Sequence, residues 1–285
     1  MQGLKRERTD DFPPPGPCDS ILPMQGRAEL FDTHVHLDAL PSGHSLAAET
    51  DLARRAGVGR FVVPGVRREG WPELVRTVQA VEGALAAPGL HPLAALQWGP
   101  DSARELAGLL AGPRVAALGE IGLDGLLRQV PRAAQEEAFR GQLRLALEAG
   151  RPVLIHCRRA VGRLLEILRE EGAGRVGGIF HAFSGSEETA REAVKLGFAI
   201  GFGGALTYPE ARRLPEVLRR VPAEAIVLET DAPDLAPHPV RGGANRPCYL
   251  PFVARRVAAI RGWSPEETAR ITSRNARRVL KLEGR

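Results

Sequence analysis

Cysteine is scarce, with Cys18, Cys157 and Cys248 dispersed through 285 residues and none in a C-x-x-C pair. That spacing argues against a disulfide framework and predicts a reducing, cytoplasmic location. No run approaches the roughly 18 apolar residues that a membrane-spanning helix needs, so no membrane association is expected. Residues 1–27 mix charges with prolines and hold no apolar stretch, which excludes the pattern of a secretory signal. Aromatics make up only 5% of the chain, too few for the continuous base-stacking platform of a single-strand binder. Lysine is nearly missing: Lys5, Lys195 and Lys281 are all there is, so arginine carries the formal charge of +5. Much of that arginine falls on apparent helix faces, as in Arg54-Arg55, Arg219-Arg220 and Arg277-Arg278. There it solvates a surface without making a groove, although the excess permits a polyanionic substrate. Neither a G-x-G-x-x-G after the first apolar run nor a P-loop lysine motif occurs, which weighs against the phosphate cradles of a doubly wound sheet.

What is present reads as two segments. Residues 1–28 form an expected tail, because Pro13-Pro14-Pro15-Gly16-Pro17 cannot join a helix or a central strand. Met24-Gln25-Gly26 echoes Met1-Gln2-Gly3, and these are the two methionines of the chain, so Met24 is an expected alternative start. From residue 29 to 285 short apolar or β-branched runs alternate with amphipathic stretches. The strands are expected at 30–36, 60–66, 84–91, 115–121, 152–157, 178–183, 198–206 and 226–230. Helical periodicity is clearest over 133–149 and 187–196, and the last helices are expected at 251–260 and 265–282. Eight βα units in this length predict a (β/α)8 TIM barrel; an open doubly wound sheet is the competing arrangement.

In such a barrel reactive groups belong at the C-terminal ends of strands. The first strand ends in Asp32-Thr33-His34-Val35-His36-Leu37-Asp38. Period-two alternation places His34 and His36 on one face, where two imidazoles can share a metal ion. Glu120 interrupts the fourth strand between small residues, where an unpaired carboxylate is costly. His156 ends the fifth strand, with Cys157 alternating to the opposite face as a packed thiol; His181 ends the sixth and Asp231 the eighth. Each residue alone is equally compatible with packing or an internal ion pair. Together, four histidines and two carboxylates at five strand ends match the ligand requirement of a two-metal hydrolytic site. No lysine stands between Lys5 and Lys195, so Glu120 must supply the bridge that a modified lysine supplies in some two-metal barrels.

These segments, together with Gly119-Glu120-Ile121-Gly122-Leu123-Asp124, Ile155-His156-Cys157-Arg158, His181-Ala182-Phe183-Ser184-Gly185 and Glu229-Thr230-Asp231-Ala232-Pro233, form a specific ordered signature. The chain resembles the TatD family of metal-dependent deoxyribonucleases, within the amidohydrolase-like superfamily, from about Leu30 to Leu280. The resemblance implies one ion on His34, His36, Glu120 and Asp231, and a second on Glu120, His156 and His181. It also implies that Asp231 orients or deprotonates the attacking water. The chain departs from the family pattern at Gly125-Leu126, where an aromatic pair is usual, and at Arg159, where an aspartate is usual. It departs again at Leu93, in place of a second histidine, and at Arg246, in place of an acid. These positions bear on substrate choice and leave the ligand set intact.

The expected activity is hydrolysis of DNA phosphodiester bonds, with trimming of single-stranded 3′ ends as the resemblance implies. The alternative is a two-metal hydrolase of a small amide, lactone or phosphotriester. Two divalent ions per chain are expected: zinc, manganese or magnesium. Four imidazoles suit the first two, since magnesium prefers oxygen. Glu120 and Asp231 are the catalytic candidates. Arg158 is a candidate phosphate contact, with a salt bridge to a helix acid such as Glu187 as the equal alternative. Arg246 is a second candidate contact, beside Arg241. His91, Asp124 and Glu229 are expected to support the ligands, whereas His44 and His238 read as loop residues. The glycines of Gly201-Phe202-Gly203-Gly204 relieve crowding inside the seventh strand. No obligate protein partner is evident.

Overall fold

The computed structural model describes residues 29–283; the expected tail and the Met24 start lie outside them. Eight strands run β1 Leu30–Asp32, β2 Val58–Pro64, β3 Ala84–Ala87, β4 Leu118–Asp124, β5 Val153–Arg158, β6 Gly178–Phe180, β7 Phe198–Phe202 and β8 Ile226–Leu228. All neighbouring pairs are parallel, in the order β3-β2-β1-β8-β7-β6-β5-β4. The two ends of that order meet. Ala86 forms a parallel bridge with Val115, Gly119 N–H donates to Pro88, and Glu120 N–H donates to Gly65, which closes the sheet as a barrel.

Helices α1 Leu46–Arg55, α2 Trp71–Ala80, α3 Pro100–Leu110, α4 Arg132–Glu148, α5 Val161–Glu170, α6 Glu187–Lys195, α7 Arg213–Arg220, α8 Leu250–Arg261 and α9 Pro265–Val279 surround it. The barrel interior holds Phe31, Val62, Ala87, Ala117, Leu154, Ile179, Ala199 and Val227. Ala276, Val279 and Leu280 from the end of α9 pack onto this group. The larger core lies between strands and helices, with Phe61, Trp71, Leu106, Phe139, Leu164 and Phe198 among its buried side chains.

Two residues on from inward-facing Leu154, Ile179 and Val227 stand His156, His181 and Glu229. Period-two alternation thus lifts the chain from an apolar layer to a polar one at the barrel mouth. Helix α4 fixes part of that layer. Its buried residues Gln135, Ala138, Phe139, Gln142, Leu143 and Ala146 follow helical spacing. Gln142 bonds both N–H and C=O of Leu90, at 2.7 and 3.1 Å, and Gln135 accepts from Asp124 N–H at 2.9 Å. These amides hold the backbone beside His91 and at Asp124.

Cys157 is a free, partly buried thiol whose pKa burial pushes up to about 11; it packs against the outer core but also lines the cleft beside His156, so it is not confined to the opposite face as expected. Cys248 is disulfide-bonded, so the expectation of unbridged cysteines fails at that position; dispersal along a chain does not limit proximity in space. Among the described residues no helix is long and apolar enough to cross a membrane.

Candidate metal centre

Four imidazoles from four segments converge on the Glu120 carboxylate. His156 Nδ1 lies 2.7 Å from it, His181 Nε2 2.9 Å, His34 Nε2 3.4 Å and His91 Nε2 3.7 Å. Asp231 Oδ1 stands 3.6 Å from His34 Nε2 and 3.7 Å from His36 Nε2. Ligand atoms within 4.8 Å of one another group as His34, His36 and Glu120; as His34, His181 and Asp231; and as His91, Glu120 and His156. Val35, between the two histidines of the first motif, is fully buried in the outer core. Alternation therefore continues past Asp32, where the paired strand stops.

The backbone turns sharply to present these groups. Asp231 and Ala182 adopt left-handed conformations, with φ of 60° and 42°. Such conformations cost about 1–3 kcal/mol for a residue with a Cβ and persist only where the surroundings enforce them. At Asp231 the enforcement is visible. Its N–H donates to His34 C=O at 2.9 Å, and neighbouring Thr230 is clamped by Asp32 through its N–H at 2.9 Å and hydroxyl at 2.6 Å. Asn245 donates to Thr230 C=O and Asp234 C=O, both at 2.7 Å. Asp32 and Asn245 are thus the bracing residues that sequence reasoning missed. The signal for Asp32 was an acid inside an apolar run, masked by the adjacent histidines.

Electrostatics sort the imidazoles. Burial, aided by the nearby His181, lowers the His34 pKa to about 3, and burial lowers that of His91 to about 4. Both are neutral at physiological pH. His34 is buried with neither ring nitrogen hydrogen-bonded, the state of a ligand awaiting a cation. His91 differs, because its Nδ1 accepts from Leu93 N–H at 3.0 Å. In neutral His91 the proton then sits on Nε2, 3.7 Å from the Glu120 carboxylate. His181 titrates the other way. Burial opposes its charge, yet Glu120 and Asp231 raise its pKa to about 10. Glu120 stays ionised well below the ordinary carboxylate range, because His181, His156 and His34 outweigh its burial. The carboxylates draw positive charge to this point, and among the described residues no lysine or arginine pairs with either of them. Orphaned imidazole nitrogens around the Glu120 and Asp231 carboxyls fit divalent cations.

The two acids expected to support the site lie beside two of the histidines. Asp124 Oδ2 lies 3.2 Å from His156 Nε2, so both nitrogens of His156 face carboxylates. Glu229 accepts from Ala182 N–H, and its Oε1 lies 3.8 Å from His181 Nδ1. Burial raises the Glu229 pKa to about 8. Gly201 is required beside it, since a Cβ there would meet Glu229 Oε2 at 2.4 Å. This supports crowding relief as the reason for that glycine.

The two candidate arginines have different surroundings. Arg158, at the end of β5, lines the cleft with His156, His181 and Asp231. It makes no ion pair among the described residues; Glu187 pairs instead with Arg191 at 2.9 Å. Arg246 is not brought into the cluster. Its guanidinium bonds both oxygens of buried Glu49, at 2.9 and 2.8 Å, and His44 joins the same carboxylate at 2.7 Å.

Residues 31–281 match the family described as TatD related DNase. The chain belongs to the TatD family. Among TatD-family relatives, the metal-dependent hydrolase YabD of Bacillus subtilis is 38% identical over 253 residues, covering 89% of this chain and 99% of that protein. The 3′-5′ ssDNA/RNA exonuclease TatD of Edwardsiella piscicida is 35% identical over 237 residues, covering 81% and 91%. The crystal structure of the TatD homologue YJJV from Escherichia coli K12 superposes with a TM-score of 0.84 at 32% identity, covering 88% of this chain and 98% of that one. As a TatD-family member the chain is a metal-dependent hydrolase acting on ester bonds, built on the expected barrel.

Proposed function

We propose that the chain is a two-metal nuclease that hydrolyses phosphodiester bonds of DNA, trimming single-stranded 3′ ends. The observation that carries this reading is the single carboxylate, Glu120, ringed by imidazoles and set against Asp231, with no lysine or arginine pairing to either among the described residues. His34, His36, Glu120 and Asp231 would hold one ion, and Glu120, His156 and His181 the other. Once bound, such a pair lowers the pKa of water toward 7 and offsets charge on a phosphoryl oxygen.

The remaining steps belong to the side chains. Asp231, whose pKa is raised by burial, takes the proton of the attacking water at Oδ1. Its left-handed backbone and the Asp32–Thr230 clamp hold that oxygen in place. Arg158 faces the same cleft and binds the two non-bridging oxygens of the phosphate, in the bidentate mode that guanidinium favours. Asp124 bonds and orients the ring of His156, and Glu229 stands 3.8 Å from His181 Nδ1. The name of the Edwardsiella piscicida relative supports a single-stranded nucleic acid as substrate.

The test is hydrolysis by metal-reconstituted protein of end-labelled single- and double-stranded DNA and RNA, beside a panel of lactones, amides and phosphotriesters. Stepwise shortening of single-stranded DNA from its 3′ end is expected. Turnover confined to the small molecules would replace this reading with the small-substrate alternative.

A further inference from the structure

The cleft holding His181 and Asp231 opens sideways into a second cavity of about 680 Å³. The two share His181, Arg158, Phe183 and Ser184, so they form one continuous surface. Three guanidiniums line the second cavity: Arg158 at the end of β5, Arg159 just after it, and Arg213 at the start of α7. All three are exposed, and none makes an ion pair or side-chain hydrogen bond among the described residues. Nearby arginines behave differently. Arg140 and Arg144 pair with Glu171, and Arg163 pairs with Glu136. Three unpaired like charges on one concavity repel one another, and an anion relieves that repulsion.

The same cavity also has apolar lining, from Val161, Phe180, Phe183 and Leu126. Leu126 is 49% exposed, one of few large aliphatic side chains left open to water. The loop that carries Arg159 is held in place. Arg159 has a left-handed backbone, φ 51°, and packs so closely on Gly125 that a Cβ there would meet Arg159 C=O at 2.7 Å.

Cations and apolar surface in one cavity match a nucleotide unit, with phosphate toward the arginines and sugar or base toward the apolar residues. We propose that this cavity is a second nucleotide subsite, in which Arg159 and Arg213 bind the phosphate adjacent to the scissile one. Arg158, common to both cavities, stands between the two phosphates. The inference rests on the nuclease reading and names how that site recognises its substrate: the chain reads at least two consecutive phosphates of a strand.

The test neutralises charge on either partner. A six-nucleotide single strand is made with one methylphosphonate at each linkage in turn. KM, kcat and equilibrium binding are measured for metal-loaded native protein and for Arg159→Ala/Arg213→Ala. With native protein, neutralising the linkage next to the scissile one should raise KM roughly tenfold, the loss of one charge-assisted contact. In the double variant the unmodified strand should already show that loss, with no further change from the methylphosphonate. Cleavage with a flat positional profile, or a profile unchanged in the variant, would overturn the subsite. Positional binding without cleavage would keep the subsite and overturn the nuclease reading. Neither binding nor cleavage would overturn both.

Discussion

The two sides of the barrel mouth use the same residue types to opposite ends. On the β1–β8 side the bracing groups around Asp231 are paired. Asp32 clamps Thr230, Asn245 holds the Thr230 and Asp234 carbonyls, and Arg246 is bound to Glu49, which His44 also touches. On the β5–β6 side Arg158, Arg159 and Arg213 have no acidic partner among the described residues, and the cavity beside them is open. The contrast teaches that arginine at a mouth is a strut where a buried acid meets it and a ligand for anions where none does. The first side holds Asp231 in a costly conformation; the second is free to bind.

Substitutions at the junction and on each side sharpen this division. The largest effect is expected at the junction. Asp231→Asn keeps shape and one carbonyl oxygen but removes the proton acceptor, so the single-turnover rate should fall about 10²–10⁴-fold, with metal content retained. On the braced side, Asp32→Ala leaves the Thr230 hydroxyl and N–H buried without their acceptor. Denaturant unfolding should show a loss of about 2–4 kcal/mol.

Arg246→Ala should cost less, about 1–3 kcal/mol, because the pair is only partly shielded from water. Its pH dependence has a definite sign. Burial works against the Glu49 charge, but the bonds from Arg246 and His44 hold its pKa below the ordinary value. A carboxyl depressed in the folded state stabilises above its unfolded pKa and ceases to as pH falls through the folded one. The stability gap between native and Arg246→Ala should therefore be full at neutral pH and close in acid. The smallest effect is expected on the open side. Arg159→Ala/Arg213→Ala should change stability by no more than about 0.5 kcal/mol, and a large loss there would erase the distinction between the sides.

The barrel, its strand count and the convergence of the strand-end histidines were legible in the sequence, because period-two alternation and βα spacing are local signals. Strand ends were less so. The first, sixth and eighth strands were expected to reach residues 36, 183 and 230, but pairing stops at Asp32, Phe180 and Leu228. The chain there leaves the sheet in turns, through left-handed Ala182 and Asp231, and carries the polar groups into the mouth. The fourth strand was expected at 115–121 and runs Leu118–Asp124; Gly122 hides its true end, since small residues signal breaks. The closing bridge at Val115 lies outside the named strand. Arg246 was not legible at all. Its partner Glu49 lies 197 positions away, and nothing local separates a phosphate contact from a strut. The same limit applied to Arg158, whose candidate partner Glu187 is taken by Arg191.

The central claim is that Glu120 holds two ions together at the meeting point of both sides. The most direct measurement is metal content per chain, by elemental analysis, of native protein and Glu120→Ala, with single-turnover hydrolysis measured on the same samples. The account predicts two divalent ions per native chain, and in the variant loss of one or both together with loss of turnover. Two retained ions and near-native turnover in Glu120→Ala would contradict it.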